Sequence, residues 1–336
     1  MDQPAFPPEV VAHDAAPAAG ERLRHRRNPL EEGRAAAIRT VSVVIANLNC
    51  PILDRGLTAL ARQALPAGVT VETIVVGRDD PGCLRGFPWV RFIESERPLP
   101  PATARNLAIR ESSGDLIASL DADCVPSRRW IAALLAAHEA QGERVAIGGA
   151  ICIEGANLWA LGDNLSSFNQ YLPSRPAGPI AQIPAANLSA RRALFAEIGP
   201  FDERLRIGED TDWVMRAKRA GVRLCFEPQA VVWHNTLRRT PRAVLAHGYE
   251  WGYHAAYTRT RYAAELGTPW VLRHWWATAA AAPAIATLTT AAIYLRNRGT
   301  IRYIYAAPIV WLAKLAWCAG AARRLRRLAG GSCSNS

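Results

Sequence analysis

No two cysteines in the chain are spaced Cys-x-x-Cys. The seven that occur (Cys50, Cys83, Cys124, Cys152, Cys225, Cys318 and Cys333) are scattered and odd in number. That argues against both a disulfide framework and a cysteine zinc centre. The N-terminal segment lacks a basic start followed by an apolar run, so no secretory leader is read there and the chemistry is expected in a reducing, cytoplasmic compartment. No repeat of fixed period is present, which sets aside solenoids and propellers. Zinc-finger and RNP signatures are missing, and no basic helix with interleaved aromatics lies mid-chain. Nucleic-acid binding is therefore excluded as a class, despite a formal charge of +11.

The chain does have length and apolar content. Its 336 residues are 50% hydrophobic and 21% charged, enough for one large α/β domain plus an appendage. The excess arginines sit at the two ends (Arg22, Arg24, Arg26, Arg27 and Arg34; Arg323, Arg324, Arg326 and Arg327) rather than in the folded middle. Such flanking charge suits an anionic membrane surface as partner.

Residues 1–39, rich in Ala, Pro, Glu and Arg, read as a flexible tail. From Thr40 the run Val41-Ser42-Val43-Val44-Ile45-Ala46 is a short β-branched strand buried on both faces. Apolar residues at helical spacing follow (Leu53, Leu57, Leu60), then a strand at Val71–Val76. This is a βαβ unit, whose ligands bind at the C-terminal ends of the strands. A strand near Val90–Ile93, a helix from Ala102 to Glu111 and a strand Leu116–Leu120 continue the pattern. A helix at Trp130–Ala140 and a strand at Val145–Ile153 come next. Beyond Ile183 the spacing predicts a short strand, helices from Arg191 and Glu209, and two short strands, Val222–Phe226 and Ala230–Trp233.

The expected organisation is a catalytic domain over residues 40–240, a connecting, acceptor-side helical segment over 241–270, a helical pair over 271–328 and a flexible tail over 329–336. Trp275–Leu295 and Tyr303–Ala322 are apolar enough to form a membrane hairpin, with Trp275, Trp276, Tyr303, Tyr305, Trp311 and Trp317 as interface-seeking aromatics. Against full spanning, Arg296, Arg298 and Arg302 would fall on the far side. An interfacial pair, or one buried against the catalytic domain, remains open.

Three groups of residues carry chemistry. Asp121-Ala122-Asp123 ends a buried strand, and two carboxylates there are costly unless a cation meets them; oxygen ligands suit Mg²⁺ or Mn²⁺. An Asp-x-Asp also caps turns. Gly208-Glu209-Asp210-Thr211-Asp212 crowds acids at a helix start, where the dipole stabilises them and where one of them can act as a general base. His234, after the last strand, is either a hydrogen-bonded structural residue or a further metal ligand.

Taken in order, Val41–Ile45, Ala104-Arg105-Asn106-Leu107-Ala108 before Gly114-Asp115, Asp121-Ala122-Asp123, Gly208-Glu209-Asp210 and His234 resemble glycosyltransferase family 2 over about residues 41–240. The resemblance implies a GT-A fold, a Rossmann-like mixed α/β sheet flanked by helices. It also implies inverting, metal-dependent transfer from a nucleotide-diphosphate sugar to a glycan or lipid-linked acceptor in cell-envelope glycan or glycolipid synthesis. By the same resemblance Asp121 contacts the ribose, Asp123 binds the metal, Asp210 is the catalytic base, and Arg105 and Asn49 border the nucleotide. After the second strand the family commonly shows Asp-Asp-Gly-Ser, whereas this chain reads Gly77-Arg78-Asp79-Asp80. The nucleobase acid is then displaced by two residues, onto Asp79. A UDP-sugar is the first expectation for the donor. The Gln-x-x-Arg-Trp motif of polymer-making relatives is missing, which favours single addition. The aromatic run His247–His254 is expected either to shape an acceptor pocket or to pack the terminal helices.

Two other readings compete. A nucleotidyltransferase should carry a Gly-rich basic loop after the first strand, which Asn47-Leu48-Asn49-Cys50-Pro51 is not. A non-catalytic, membrane-associated binding protein on the same fold is the other. The expected location is the cytoplasmic face of the plasma membrane.

Overall fold

The computed structural model describes residues 37–153 and 155–331. The expected tail up to residue 36, its arginine cluster and Cys333 lie outside the described residues. The elements run β1 (Thr40–Leu48), α1 (Leu53–Ala61), β2 (Thr70–Arg78), β3 (Arg91–Glu94), α2 (Pro101–Glu111), β4 (Leu116–Asp121), β5 (Cys124–Pro126), α3 (Trp130–Gln141), β6 (Val145–Cys152) and α4 (Leu158–Phe168). They continue with β7 (Gly178–Pro179), β8 (Asn187–Arg191), α5 (Arg192–Ile198), α6 (Glu209–Arg219), β9 (Arg223–His234), α7 (Pro241–Arg261), α8 (Trp275–Ala280), α9 (Ala282–Arg296) and α10 (Ala307–Gly331).

The strands form one mixed sheet in the order β3-β2-β1-β4-β8-β6-β9-β5, with β7 paired to β9. β1 lies parallel to β2 and β4, while β8 runs antiparallel to β4 and β6. Val41, Val43, Val44 and Ile45 are all sealed in the core, as a central strand covered by helices on both faces requires. Each such side chain contributes about 1.5–3 kcal/mol on burial. Asp115, just before β4, accepts from the amides of Arg39 and Thr40 and from the Thr40 hydroxyl, and so pins the start of β1.

The two strands expected at Val222–Phe226 and Ala230–Trp233 are one long strand, β9. Its register against β6 shifts between Gly149 and Ala150. A bulge leaves backbone carbonyls without ladder partners and bends the strand. Here the buried Asn187 amide donates to the carbonyls of Ala150 and Ala230 at 3.0 and 2.8 Å, and its own oxygen accepts from the Trp130 indole at 2.9 Å. The bend matters for function because it delivers the end of β9, Val232–His234, to β5 beside the corner after β4.

The C-terminal helices do not stand apart as a hairpin. The first apolar run breaks at Ala281 into α8 and α9, with Pro283 in the first turn of α9, because a proline ring excludes the carbonyl four residues back. Among the described residues only Arg298–Gly330 is long and apolar enough to cross a membrane, at a mean hydropathy of 1.4. Yet α10 is clasped by the rest of the protein. Ile293, Tyr294, Ala306 and Val310 pack on Ile153, Leu161 and Leu165 of the catalytic part. The turn between α9 and α10 is held to it too, with the Ser174 hydroxyl donating to Asn297. Of the arrangements the sequence leaves open, the structure describes the pair packed against the domain. The basic end follows suit: Arg323 donates to the Tyr249 hydroxyl, and Arg324 and Arg327 to that of Tyr253. α10 also continues through Gly331, past the boundary expected at residue 328.

The helices α7 and α10 touch backbone to backbone. A Cβ on Gly252 would lie 1.9 Å from the Trp317 carbonyl oxygen, and one on Gly320 1.9 Å from that of Tyr249, so only hydrogen fits at either point. Gly252→Val should separate the helices and cost about 3 kcal/mol, at the severe end of overpacking. Urea unfolding measures it, and an unchanged midpoint would show that the two helices do not meet in this way.

Candidate active site

Asp121 ends β4, and β5 begins at Cys124, so Asp121-Ala122-Asp123 is a corner. Cys124 pairs with His234, and the Asn235 amide donates to the Asp123 carbonyl at 2.9 Å. These bonds bring Asp121, Asp123 and His234 together, with one ligand atom from each within 4.8 Å of the others. His234 Nε2 lies 3.5 Å from Asp123 Oδ2. The ring is fixed by Asn164 of α4, whose amide nitrogen donates to the His234 carbonyl at 3.2 Å while its oxygen sits 2.9 Å from Nδ1. A carbonyl only accepts, so the amide orientation is set, and Nδ1 must be the donor. The Nε2 lone pair of the neutral ring is thereby left toward the carboxylates, the arrangement found in metal-ligating histidines. Burial raises the Asp123 carboxyl and neighbouring His234 opposes the shift. Two carboxylates and an imidazole held in this way fit a divalent cation.

Arg105 of α2 is buried and spans two acids. It donates to Asp121 Oδ1 and to Glu209 Oε1, both at 2.6 Å. Burial works against its charge, but Asp121 and Glu209 raise its pKa above the ordinary value. The resemblance implies Arg105 beside the nucleotide; in the structure it lines the cleft, and each of its terminal nitrogens bonds a protein carboxylate. Its neighbour Asn106 exchanges two 2.9 Å hydrogen bonds with the backbone of Phe201. Phe201 leads into α6, and Trp213 of α6 stacks on Phe195 at 4.5 Å. The motif Ala104–Ala108 therefore positions the Asp-x-Asp corner and the acidic helix start together.

Asp210 lies in the first turn of α6, lining the same cleft as the metal cluster. It accepts from the amides of Ala185 and Thr211. Burial, the largest influence, raises its carboxyl above the usual aspartate range, although those amides and Arg105 pull the other way. Glu209 is raised too, by burial and by Asp210 beside it. Asp212 points away into the core, where it accepts from the Tyr262 hydroxyl at 2.6 Å and pairs with Arg216.

The helix α4 was not foreseen from the sequence, and it carries supports for the site. Besides Asn164, it presents the buried Asp163 to Arg238 and His247, each at 2.7 Å. Burial alone would raise this carboxyl, but the bonds to His247 and Arg238 hold it down at about 2. The sequence signals for it are the helical spacing of Leu158, Leu161 and Leu165 and the cap Asn157, which accepts from the Ala160 amide at 2.9 Å. The aromatic run His247–His254 has two faces. His247 and Trp251 face the cleft, while Gly248 and Gly252 face α10.

Asn49 and Asp79 lie elsewhere. Asp79 caps the turn Cys83–Gly86, accepting from the amides of Cys83 and Leu84 at 3.1 and 2.8 Å. Asn49 is paired both ways with Asp80, at 2.7 and 2.8 Å, and among the described residues it is the non-glycine residue with positive φ. Neither lines the cleft with the metal cluster. The loop departs from the family pattern at Gly77 for a steric reason: at φ 134° a Cβ there would sit 1.9 Å from the Asn47 carbonyl oxygen, so no acid fits.

Arg105→Met leaves Asp121 and Glu209 without their shared counter-charge and should destabilise the protein by about 3–5 kcal/mol. Adding Glu209→Gln should recover part of the loss. Equal urea midpoints for wild type and the single variant would refute the bridging role.

Against this geometry, the comparisons with known proteins converge. Residues 42–199 match the sequence profile of Glycosyl transferase family 2. The pre-mycofactocin glycosyltransferase of Mycobacterium tuberculosis is 33% identical over 141 residues, which cover 40% of this chain and 30% of that protein. The chain thus spans under a third of that relative's length. The succinoglycan biosynthesis protein ExoM of Rhizobium meliloti is 26% identical over 297 residues, 80% of this chain and 91% of its own. Among solved structures, a mannosyltransferase from Pyrobaculum calidifontis, in complex with GDP-Man and Mn²⁺, superimposes with a TM-score of 0.58 at 18% identity, covering 86% of this chain and 87% of its own, and so shares the fold. With its Asp-x-Asp corner, acidic helix start and mixed sheet in the GT-A arrangement, the chain is similar to glycosyl transferase family 2 over residues 42–199.

Proposed function

We propose that the protein transfers a glycosyl group from a nucleotide-diphosphate sugar to an acceptor hydroxyl, with inversion and by single addition. One observation carries this reading: a cluster fit for a divalent cation and a raised, half-buried Asp210 line one cleft of about 460 Å³. Asp210 takes the proton of the acceptor hydroxyl, whose oxygen attacks the anomeric carbon as the bond to the diphosphate breaks. Asp123 and His234, with Asp121 beside them, would hold Mn²⁺ or Mg²⁺, which when bound neutralises charge on the leaving diphosphate. One imidazole in the set favours Mn²⁺. Because the leaving group needs no acid, one protein carboxylate suffices for proton transfer. Asp121 keeps its second oxygen for the ribose. A UDP-sugar is the first choice of donor; the GDP-Man held by the Pyrobaculum neighbour makes a GDP-sugar the second.

Purified protein with Mn²⁺ should bind a nucleotide sugar and release nucleoside diphosphate, and EDTA should stop it. Asp210→Asn should lower turnover about 10²–10⁴-fold while donor binding persists. Since the base works deprotonated and its carboxyl is raised, kcat/KM should climb with pH through a limb above the ordinary aspartate range. Normal turnover in Asp210→Asn excludes it as base, and a full panel of donors that fail to bind sinks the transferase reading.

The protein is further proposed to work at a membrane surface, on the cytoplasmic side, in cell-envelope glycan or glycolipid synthesis, with α8 and α9 lying on the bilayer rather than crossing it. Support comes from the exposed apolar side chains of this C-terminal part, among them Trp270, Trp276, Leu288, Leu295, Ile301 and Tyr305, of the kind an interfacial helix buries in the headgroup region. Co-sedimentation with phosphatidylglycerol vesicles should fall about tenfold in Trp276→Ser/Leu288→Ser. Equal sedimentation of wild type and variant would exclude this face.

A further inference from the structure

The cleft that begins at the metal cluster does not end there. Its wall also includes Arg259 of α7 and Lys314 and Trp317 of α10. A second hollow, about 740 Å³, also touches Arg259 and Lys314 and opens past Arg175, Arg296 and Arg298. Arg259 and Lys314 therefore stand at the junction of two hollows, one lined also by the acidic residues and the other by residues of α9.

Neither cation has a counter-charge. Lys314 donates a single hydrogen bond, 2.8 Å to the Ser166 carbonyl, which leaves two of its three N–H groups unused. Arg259 lies over the Trp317 ring at 5.6 Å. Among the described residues no carboxylate comes within 4 Å of either, and the acid whose field reaches Lys314, Asp163, is already bonded to Arg238 and His247. Burial, then the like charge of Arg259, push the Lys314 ammonium down to about 8, and burial lowers Arg259 as well. Two cations held together in a sheltered space with no acid are costly to the free protein. That cost is removed when an anion arrives, and the geometry of an ammonium beside a guanidinium suits the oxygens of a phosphoryl group.

We propose that this junction is the acceptor subsite, and that the acceptor carries a phosphate, docked on Arg259 and Lys314, with its hydroxyl directed along the cleft to Asp210. The inference rests on the transferase reading and adds the class of acceptor. Arg296 and Arg298 at the outer mouth draw the anion in, and the exposed Leu295 and Ile301 flank that mouth, where a hydrocarbon tail would leave. A soluble phosphate ester and a lipid phosphate share the recognised group.

The test is calorimetric titration of the full chain with geranyl phosphate, glucose 1-phosphate and geraniol, alongside UDP and GDP in Mn²⁺. Wild type should bind at least one phosphate probe, and geraniol should not bind. Lys314→Met and Arg259→Gln should each weaken the phosphate probe about tenfold, and the double variant should lose it, while Lys314→Arg retains it. Nucleotide affinity should stay within about twofold throughout. Binding of geranyl phosphate alone assigns a lipid source; equal binding of both esters assigns the phosphoryl group itself. The proposal is overturned if wild type binds neither ester, if geraniol equals geranyl phosphate, if the folded double variant binds like wild type, or if nucleotide affinity falls together with the esters, since the cations would then serve the donor diphosphate. Phosphate binding without any nucleotide binding would instead refute the transferase reading and leave the anion site standing.

Discussion

The organisation of the site depends on one buried guanidinium. Arg105 reaches from α2 to Asp121 of the Asp-x-Asp corner in one direction and to Glu209 at the start of α6 in the other, bonding both at 2.6 Å. Without it, the carboxylates of Asp121, Glu209 and Asp210 would repel one another in a space poor in water, and at least one would hold a proton. With it, the Asp-x-Asp corner and the start of α6 are held in register across the cleft. The same residue explains why a basic protein can concentrate acids in one place: a fixed positive charge is built into the wall behind them.

Much of the sheet was legible in the sequence because its strands are buried on both faces. Runs such as Val41–Ile45 and Leu116–Leu120 have no polar alternation to obscure them, and the acids that follow stand where a parallel sheet presents ligands. The resemblance was legible for the same reason, since its motifs sit at strand and helix ends whose spacing the fold dictates. The parts that were not legible depend on contacts distant in sequence. α4 carries apolar residues at helical spacing (Leu158, Leu161, Leu165), but its Asp163 and Asn164 gain meaning only when residues some seventy positions later arrive beside them. The single strand β9 looked like two, because a bulge satisfied by Asn187 leaves no mark in the local pattern.

Asp79 and the C-terminal arginines teach a related lesson. Asp79 was assigned by its distance from a strand end, yet its oxygens face the nearest free amides, those of the Cys83 turn. Arg324 and Arg327 were assigned by charge alone, yet they find tyrosines of α7. Composition locates charge along the chain; only packing decides what that charge faces. By contrast, the aromatic run His247–His254 serves two surroundings at once, because a helix has two sides. Its residues four apart share one destination, and the residues between them have another.

That division gives α7 a consequence for how the protein comes into being. One side of the helix is cleft wall, and the other is sealed against α10 at Gly252 and Gly320. During synthesis the sheet, the acids and even α7 emerge well before α10, and until α10 docks, the far half of the cleft has no wall and Lys314 is not in place. A nascent chain can therefore assemble its acidic centre early and yet lack an enclosed chamber, so the order of translation itself delays completion of the cleft until the catalytic part has folded.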